Sequence, residues 1–187
     1  MLWRDRRAAF RMVRLAAVFA AAGLVAGCFE PLYGTRPSAD GDSVHDKLAE
    51  IQITPIPARQ GTPQARLAVG MQNALQFDFN GGAAPPSPTH RLDVTLSTSG
   101  FTVIVDVASG RPTAQVDSVT ATYRLVEVAT GKVVLHDTST ANVDYDPPGS
   151  QQRFAIQRAE RDAEDRAVQM TAEAIRNRLA SYFVAGT

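Results

Sequence analysis

The stretch Val116–Tyr145, VDSVTATYRLVEVATGKVVLHDTSTANVDY, decides how this chain folds. Val119, Ala121, Tyr123 and Leu125 take alternate positions, with Thr120, Thr122 and Arg124 between them. Successive side chains of an extended strand point to opposite faces, so the pattern predicts a long strand, Val116–Val128, with one apolar side. Ala129-Thr130-Gly131-Lys132 is a short connection whose glycine can take a positive φ, and Val133–Tyr145 reads as the return strand. Asp146-Pro147-Pro148-Gly149 ends it.

Working outward, Arg91–Gly100 alternates in the same way, with Leu92, Val94 and Leu96 set against Asp93, Thr95 and Ser97. Phe101–Val107 continues in strand-forming residues, so Gly100 marks either a bulge in one long strand or a break between two. Ala108–Pro112 turns the chain into the central hairpin, and Ala83–Thr89 is a proline-rich loop before it. Upstream, Leu48–Thr54 alternates Ile51 and Ile53 and stops at Pro55-Ile56-Pro57, predicting a first strand. Thr62-Pro63 supplies a helix cap followed by proline in the first turn, where its missing N–H is harmless. Leu67, Met71, Ala74 and Leu75 then share a helical face that runs to about Phe79, and Asn80-Gly81-Gly82 ends it.

Downstream, Gln151–Phe183 holds neither proline nor glycine. Ala163, Ala167, Met170, Ala174, Val168, Thr171, Ile175, Leu179 and Tyr182 fall at helical spacings, opposite a face carrying Arg158, Glu160, Arg161, Asp162, Asp165, Arg176 and Arg178. The alanines allow this helix to lie close on a sheet. The order β-α-β-β-β-α predicts an α+β two-layer sandwich, with two helices on one face of a mostly antiparallel four-stranded sheet. No internal repeat interrupts it.

The charge balance separates the N-terminus from the rest. The 187 residues carry 19 basic and 19 acidic groups, but Met1–Gly27 holds five arginines against Asp5, a net of +4, leaving −4 on the remaining 160 residues. A mildly acidic body argues against nucleic acid as a partner, since that needs a basic face. The single cysteine excludes an internal disulfide and a paired-cysteine metal site. No apolar run reaches the ~18–20 residues of a permanent spanning helix.

Residues 1–27 instead read as an export signal, an arginine-rich start followed by an apolar stretch from Leu15 to Ala26. It ends Leu24-Val25-Ala26-Gly27-Cys28, which resembles a bacterial lipobox. That motif implies diacylation of the Cys28 thiol, cleavage before it and acylation of the new amine. Phe29, not an aspartate, follows, which favours the outer membrane's periplasmic side over inner-membrane retention. Residues 28–47, with Pro31, Gly34, Pro37 and Gly41, read as a lipidated tether, and 48–187 as a single domain.

Little in the domain points to catalysis. His45, His90 and His136 share no element at metal-ligand spacing, and His136 and Asp137 are strand neighbours that face opposite ways. No nucleophile elbow, P-loop or dinucleotide-binding glycine motif is present. Asp144, Asp146 and Asn142 lack the alternating pattern of a calcium loop. The expectation is no enzyme, no cofactor and no metal, but a binding or assembly role. Arg111, Arg124 and Lys132, on or beside the long β-ribbon, are the candidate contacts to phosphate. Thr120, Thr122, Thr138 and Thr140 form a second candidate surface on its exposed side.

The stretch Cys28-Phe29-Glu30-Pro31-Leu32-Tyr33-Gly34 is similar to the start of mature LPS-assembly lipoproteins, the LptE family, of α-proteobacterial type. Ala121–Leu125 followed by Thr130–Val133 resembles that family's central hairpin, with a weaker likeness at Asn142–Tyr145. Gln157–Ala163 and Ile175–Phe183 resemble its C-terminal helix. Phe101–Val107 has no counterpart in the family pattern. The resemblance implies a lipid-anchored, non-enzymatic domain at the inner face of the outer membrane. There it would plug the lumen of the β-barrel translocon LptD and support insertion of lipopolysaccharide, which basic residues contact. The other reading is a periplasm-facing carrier of lipid or glycan, which would need a concave apolar pocket between helices and sheet.

Overall fold

A computed structural model describes residues 43–83, 85, 87–105, 107, 110, 112–146 and 152–185. All fall in the second of two units into which the chain divides, Thr35–Thr187. Cys28, the leader, most of the tether, Arg111 and the Pro147–Gly149 turn lie outside the described residues. The elements are α1 Val44–Ala49, β1 Ile51–Ile53, α2 Pro63–Asn80, β2 His90–Val105, β3 Pro112–Glu127, β4 Val133–Tyr145 and α3 Arg153–Ala185. The strands form one sheet in the order β1-β2-β3-β4, with β1 parallel to β2 and the other pairs antiparallel. The fold is α+β, with α2 and α3 packed on one face of a mostly antiparallel sheet.

The central hairpin sets the core. Val119, Ala121, Tyr123 and Leu125 of β3 are fully buried, flanked by Leu92, Val94 and Leu96 of β2 and by Leu135, Ala141 and Val143 of β4. The register places Leu92, Leu125 and Leu135 side by side. Gly131 closes the turn with φ 69, and its N–H donates to the Glu127 carbonyl at 2.8 Å.

Helix α2 begins and ends where its residues dictate. Thr62 Oγ1 accepts from the Ala65 N–H at 3.3 Å, Pro63 opens the first turn, and Gly81 caps the end in the left-handed region. Leu67, Ala68, Met71, Ala74, Leu75 and Phe79 are buried against α3 and the sheet.

Three details differ from the sequence reading. First, a third helix, α1, occupies residues read as tether and as the start of the first strand. Val44 and Leu48, one turn apart, are buried, and the Ser43 hydroxyl accepts from the Asp46 N–H at 3.1 Å. Six residues are too few to show a helical period, which hid this element, and β1 shrinks to Ile51–Ile53.

Second, the buried row of α3 runs in strict four-residue steps, Ala163, Ala167, Thr171, Ile175, Leu179 and Phe183, with Val168, Ala172 and Ala180 beside it. Met170 and Ala174 are exposed and Tyr182 half-buried. Packing follows an inclined ridge of the helix surface, so a straight stripe overestimates the buried set. Thr171 is fully buried with its hydroxyl satisfied, donating to the Ala167 carbonyl at 2.8 Å. Third, β2 passes through Gly100 unbroken, and its irregularity lies at Thr102–Val105.

Candidate functional site

All the helices that touch the sheet lie over the face carrying Val119 and Tyr123, where the Thr171 hydroxyl reaches the Val119 carbonyl at 3.4 Å. Among the described residues no helix covers the other face, which is polar. Register brings its side chains into rows across three strands: Thr95, Thr122 and Thr138; Ser97, Thr120 and Thr140; Ser99, Ser118 and Asn142. Thr120 and Thr140 share a hydrogen bond of 3.0 Å between hydroxyls, and Thr122 and Thr138 one of 3.3 Å. Ser118 donates to the Asn142 side chain in the next row. These contacts hold the hydroxyls in fixed positions while leaving their remaining lone pairs and protons for another polar surface. The threonines recognised in the sequence are therefore the centre of a larger surface that β2 extends.

One end of this face is charged. Arg124 stands beside Asp93, its guanidinium 3.5 Å from a carboxylate oxygen. Asp93 also accepts from Arg91 Nε at 3.1 Å and from Thr54 Oγ1 at 3.2 Å. A carboxylate shared by two arginines leaves a net positive charge at this end. His136 lies opposite Arg124 on β4, and Lys132 is exposed at the hairpin, three ladder positions or about 10 Å further on. Arg124 and Lys132 thus share one end of the sheet. Arg111 directly precedes Pro112, where β3 begins, and the strand from there to Arg124 spans twelve residue steps, about 40 Å. Arg111, the third candidate, itself lies outside the described residues. Asp93 went unnoticed as a partner because register, which composition and alternation do not encode, sets it against Arg124.

Elsewhere on β4, Asp137 accepts from Arg178 Nε at 3.0 Å and from the Thr138 N–H at 2.8 Å. The Thr138 N–H, followed by the Arg178 guanidinium, holds the Asp137 carboxyl below the usual carboxylate range. This clamp ties α3 to the free edge of the sheet and occupies an edge N–H that would otherwise invite another strand.

At the other end, a cavity of about 290 Å³ is lined by Asp117, Glu160, Glu164, Ser118, Pro63 and Thr98, among others. Burial, then the charge of Glu160, pushes the Asp117 carboxyl up. Burial likewise raises Glu164, although Arg66 binds it and Asp165 across to α2. The Tyr145 phenol is pushed up to about 12 by burial and by Asp117, Glu160 and Glu164. A Cβ at Gly100 would sit 2.8 Å from Asp117 Oδ1, so any larger residue there would have to displace that carboxylate. The cavity is polar and acidic, the opposite of an acyl-chain pocket. Among the described residues no group of three or more His, Cys, Asp or Glu is arranged to hold a metal ion, and no helix is long and apolar enough to cross a membrane.

A family model described as LptE, lipopolysaccharide-assembly, matches residues 48–179. A crystal structure of a candidate lipoprotein from Caulobacter crescentus CB15 superposes with a TM-score of 0.55 at 20% identity, covering 76% of this chain and 96% of that one. The rare lipoprotein B of Shewanella oneidensis superposes with a TM-score of 0.50 at 13% identity, covering 70% and 93%. These two likenesses concern the fold. No curated protein matches the chain significantly.

Proposed function

The chain belongs to the LptE family, which acts in lipopolysaccharide assembly, and from that premise we propose that it is a lipid-anchored protein of the outer membrane's periplasmic side that docks in an LptD-type β-barrel and supports insertion of lipopolysaccharide. The family's lipoproteins are associated with the outer membrane. The observation that carries the docking reading is the open sheet face, with its three rows of positioned hydroxyl and amide groups and all sheet-packed helices on the other side. The lumen wall of a large barrel is polar, and a plug bonded to it needs an ordered polar surface over a rigid core, not a catalytic centre.

The anchor is Cys28, the residue of the lipobox pattern. Each acyl CH₂ buried in the bilayer contributes ~0.8 kcal/mol, and more than one chain makes the attachment durable. Confinement to one membrane raises the local concentration of domain and barrel without adding a contact. Lipopolysaccharide phosphate is the ligand assigned to Arg124 and Lys132, with Arg111 as a third candidate contact. Arg124 binds phosphate by exchanging Asp93 for it. That exchange is inexpensive, since an exposed ion pair contributes only about 0–1 kcal/mol.

The carrier reading loses support from the layer between helices and sheet. Ala163, Ala167, Ala172 and Leu179 of α3 are 0% exposed, so this helix packs closely on its neighbours. The cavity of about 310 Å³ between α2 and β1 is lined partly by Gln52, Gln72, Gln76 and Asn80, which suit an acyl chain poorly.

The test is a comparison of full-length protein with its Cys28→Ala form in cells that make the barrel. The unacylated form folds but co-assembles with the barrel less efficiently. Equal assembly with and without acylation would remove the tethering role. Joint Arg124→Gln and Lys132→Gln substitution is expected to lower lipopolysaccharide retention while leaving barrel association intact.

A further inference from the structure

The β2–β3 ribbon continues past the helices, and its far end has a different chemistry from the rest of the molecule. From Ser97 onward every β2 residue is exposed. Phe101, Val103, Ile104 and Val105 nevertheless follow, 56, 55, 56 and 49% exposed, and Val107 beyond the strand is fully exposed. On β3, Val116 pairs with Phe101, Ala114 with Ile104 and Pro112 with Val105, and none of the three is charged. A run of apolar residues at the end of one ribbon, interrupted in the sequence only by Thr102 and Asp106, is not the scatter of single apolar residues normal on a protein surface.

The chain outside the described residues argues for what meets this patch. If Cys28 carries the lipid, fifteen residue steps separate it from Ser43, where the described domain starts. Fully extended, they reach no more than about 50 Å. The chain enters the domain beside His90, 11–15 residue steps or about 36–50 Å along β2 from Phe101–Val105. The tether can therefore hold that end of the ribbon at the lipid surface only when it is extended or the domain lies along the surface. We propose that the Phe101–Val105 end of the ribbon is a membrane-dipping wedge that inserts into the lipid surface to which the chain is anchored. The outer edge of β2 pairs with β1 only at His90–Leu92, so its backbone groups further along still need water. Insertion is accordingly shallow, at the headgroup–acyl boundary about 5–10 Å deep, as for interfacial helices. Phe101 supplies the aromatic body that suits this depth.

The inference rests on the acylation of Cys28, and one experiment separates the two. The chain's sole tryptophan is Trp3, in the leader that maturation removes, so Phe101→Trp gives a single-tryptophan reporter. The acylated mature protein is reconstituted into vesicles of phosphatidylethanolamine and phosphatidylglycerol, some brominated on their acyl chains. Val128→Trp, an exposed site at the opposite end of β3, is the control. Both positions are exposed, so both variants keep the unmodified protein's unfolding midpoint. The expected result is blue-shifted emission at position 101, quenched by the bromines severalfold more strongly than at position 128. Protein that floats with the vesicles but is not quenched at position 101 overturns the wedge and leaves the anchor standing. A blue shift without bromine quenching overturns it in favour of contact between copies of the chain. Protein that does not float at all overturns both anchor and wedge.

Discussion

Both ends of the β2–β3 ribbon carry apolar strand-forming residues, but only one end alternates them with polar ones and buries them. At the covered end, Leu92, Val94, Leu96, Val119, Tyr123 and Leu125 are buried by α2 and α3, and alternation with polar residues is strict. At the overhanging end, Phe101, Val103, Ile104 and Val105 are at least as apolar, yet among the described residues they are about half exposed. Strand propensity is common to both. What differs is the second layer, so apolar residues specify the fold only where α2 and α3 bury them, and those in the overhang are left for another phase or partner.

Substitutions at matched positions test this contrast most sharply. Leu125→Ala leaves a cavity beneath the helices and is expected to cost about 2–5 kcal/mol. Phe101→Ser is expected to stay within about 0.5 kcal/mol, because more than half of that side chain is already exposed. Urea unfolding of both variants measures the difference, and similar losses at the two sites would break the comparison. Next in size is Ala167→Leu, which overfills the α3–sheet contact and is expected to cost about 1–3 kcal/mol. A Leu at exposed Ala174 should cost almost nothing by the same assay.

Smaller effects sharpen the picture at the borders of the covered region. Thr62→Ala removes the α2 cap and should cost about 1 kcal/mol. The Asp137–Arg178 clamp, half exposed on both sides, should show a coupling of about 0.2–1 kcal/mol in a double-mutant cycle.

The acidic cavity gives the smallest signal, visible through its pH dependence. Asp117 and Glu164 have raised carboxyl pKa values in the folded chain. Their contribution to stability is therefore greatest below the ordinary carboxylate range and is lost as pH rises through the raised values. Asp117→Asn should raise the melting temperature at neutral pH, an advantage that disappears in acid. Asp137 has the opposite sign: its lowered pKa makes a contribution that is present at neutral pH and is lost as pH falls through the folded value. Melting curves of Asp117→Asn and Asp137→Asn across pH distinguish the two ends of the sheet.

Local rules were enough for much of this architecture. Alternation in Val116–Tyr145 identified the hairpin and its buried side, and Thr62-Pro63 with Gly81 bounded α2 almost to the residue. What local rules miss is set by neighbours distant in sequence. α1 is held by burial of Val44 and Leu48 rather than by its own six-residue pattern, and α3 selects its buried row by the ridge that fits the sheet. The site behaves likewise. The threonines of β3 and β4 were legible because they face each other across one short turn, whereas their continuation through Thr95 and Ser97, and the pairing of Arg124 with Asp93, depend on β2 register.

The central claim is that this chain works as an anchored partner of an outer-membrane barrel. Affinity isolation of the full-length, C-terminally tagged protein from detergent-solubilised outer membranes tests it most directly. The account predicts a stoichiometric β-barrel partner in the eluate. An abundant, acylated protein that is recovered alone each time would contradict it.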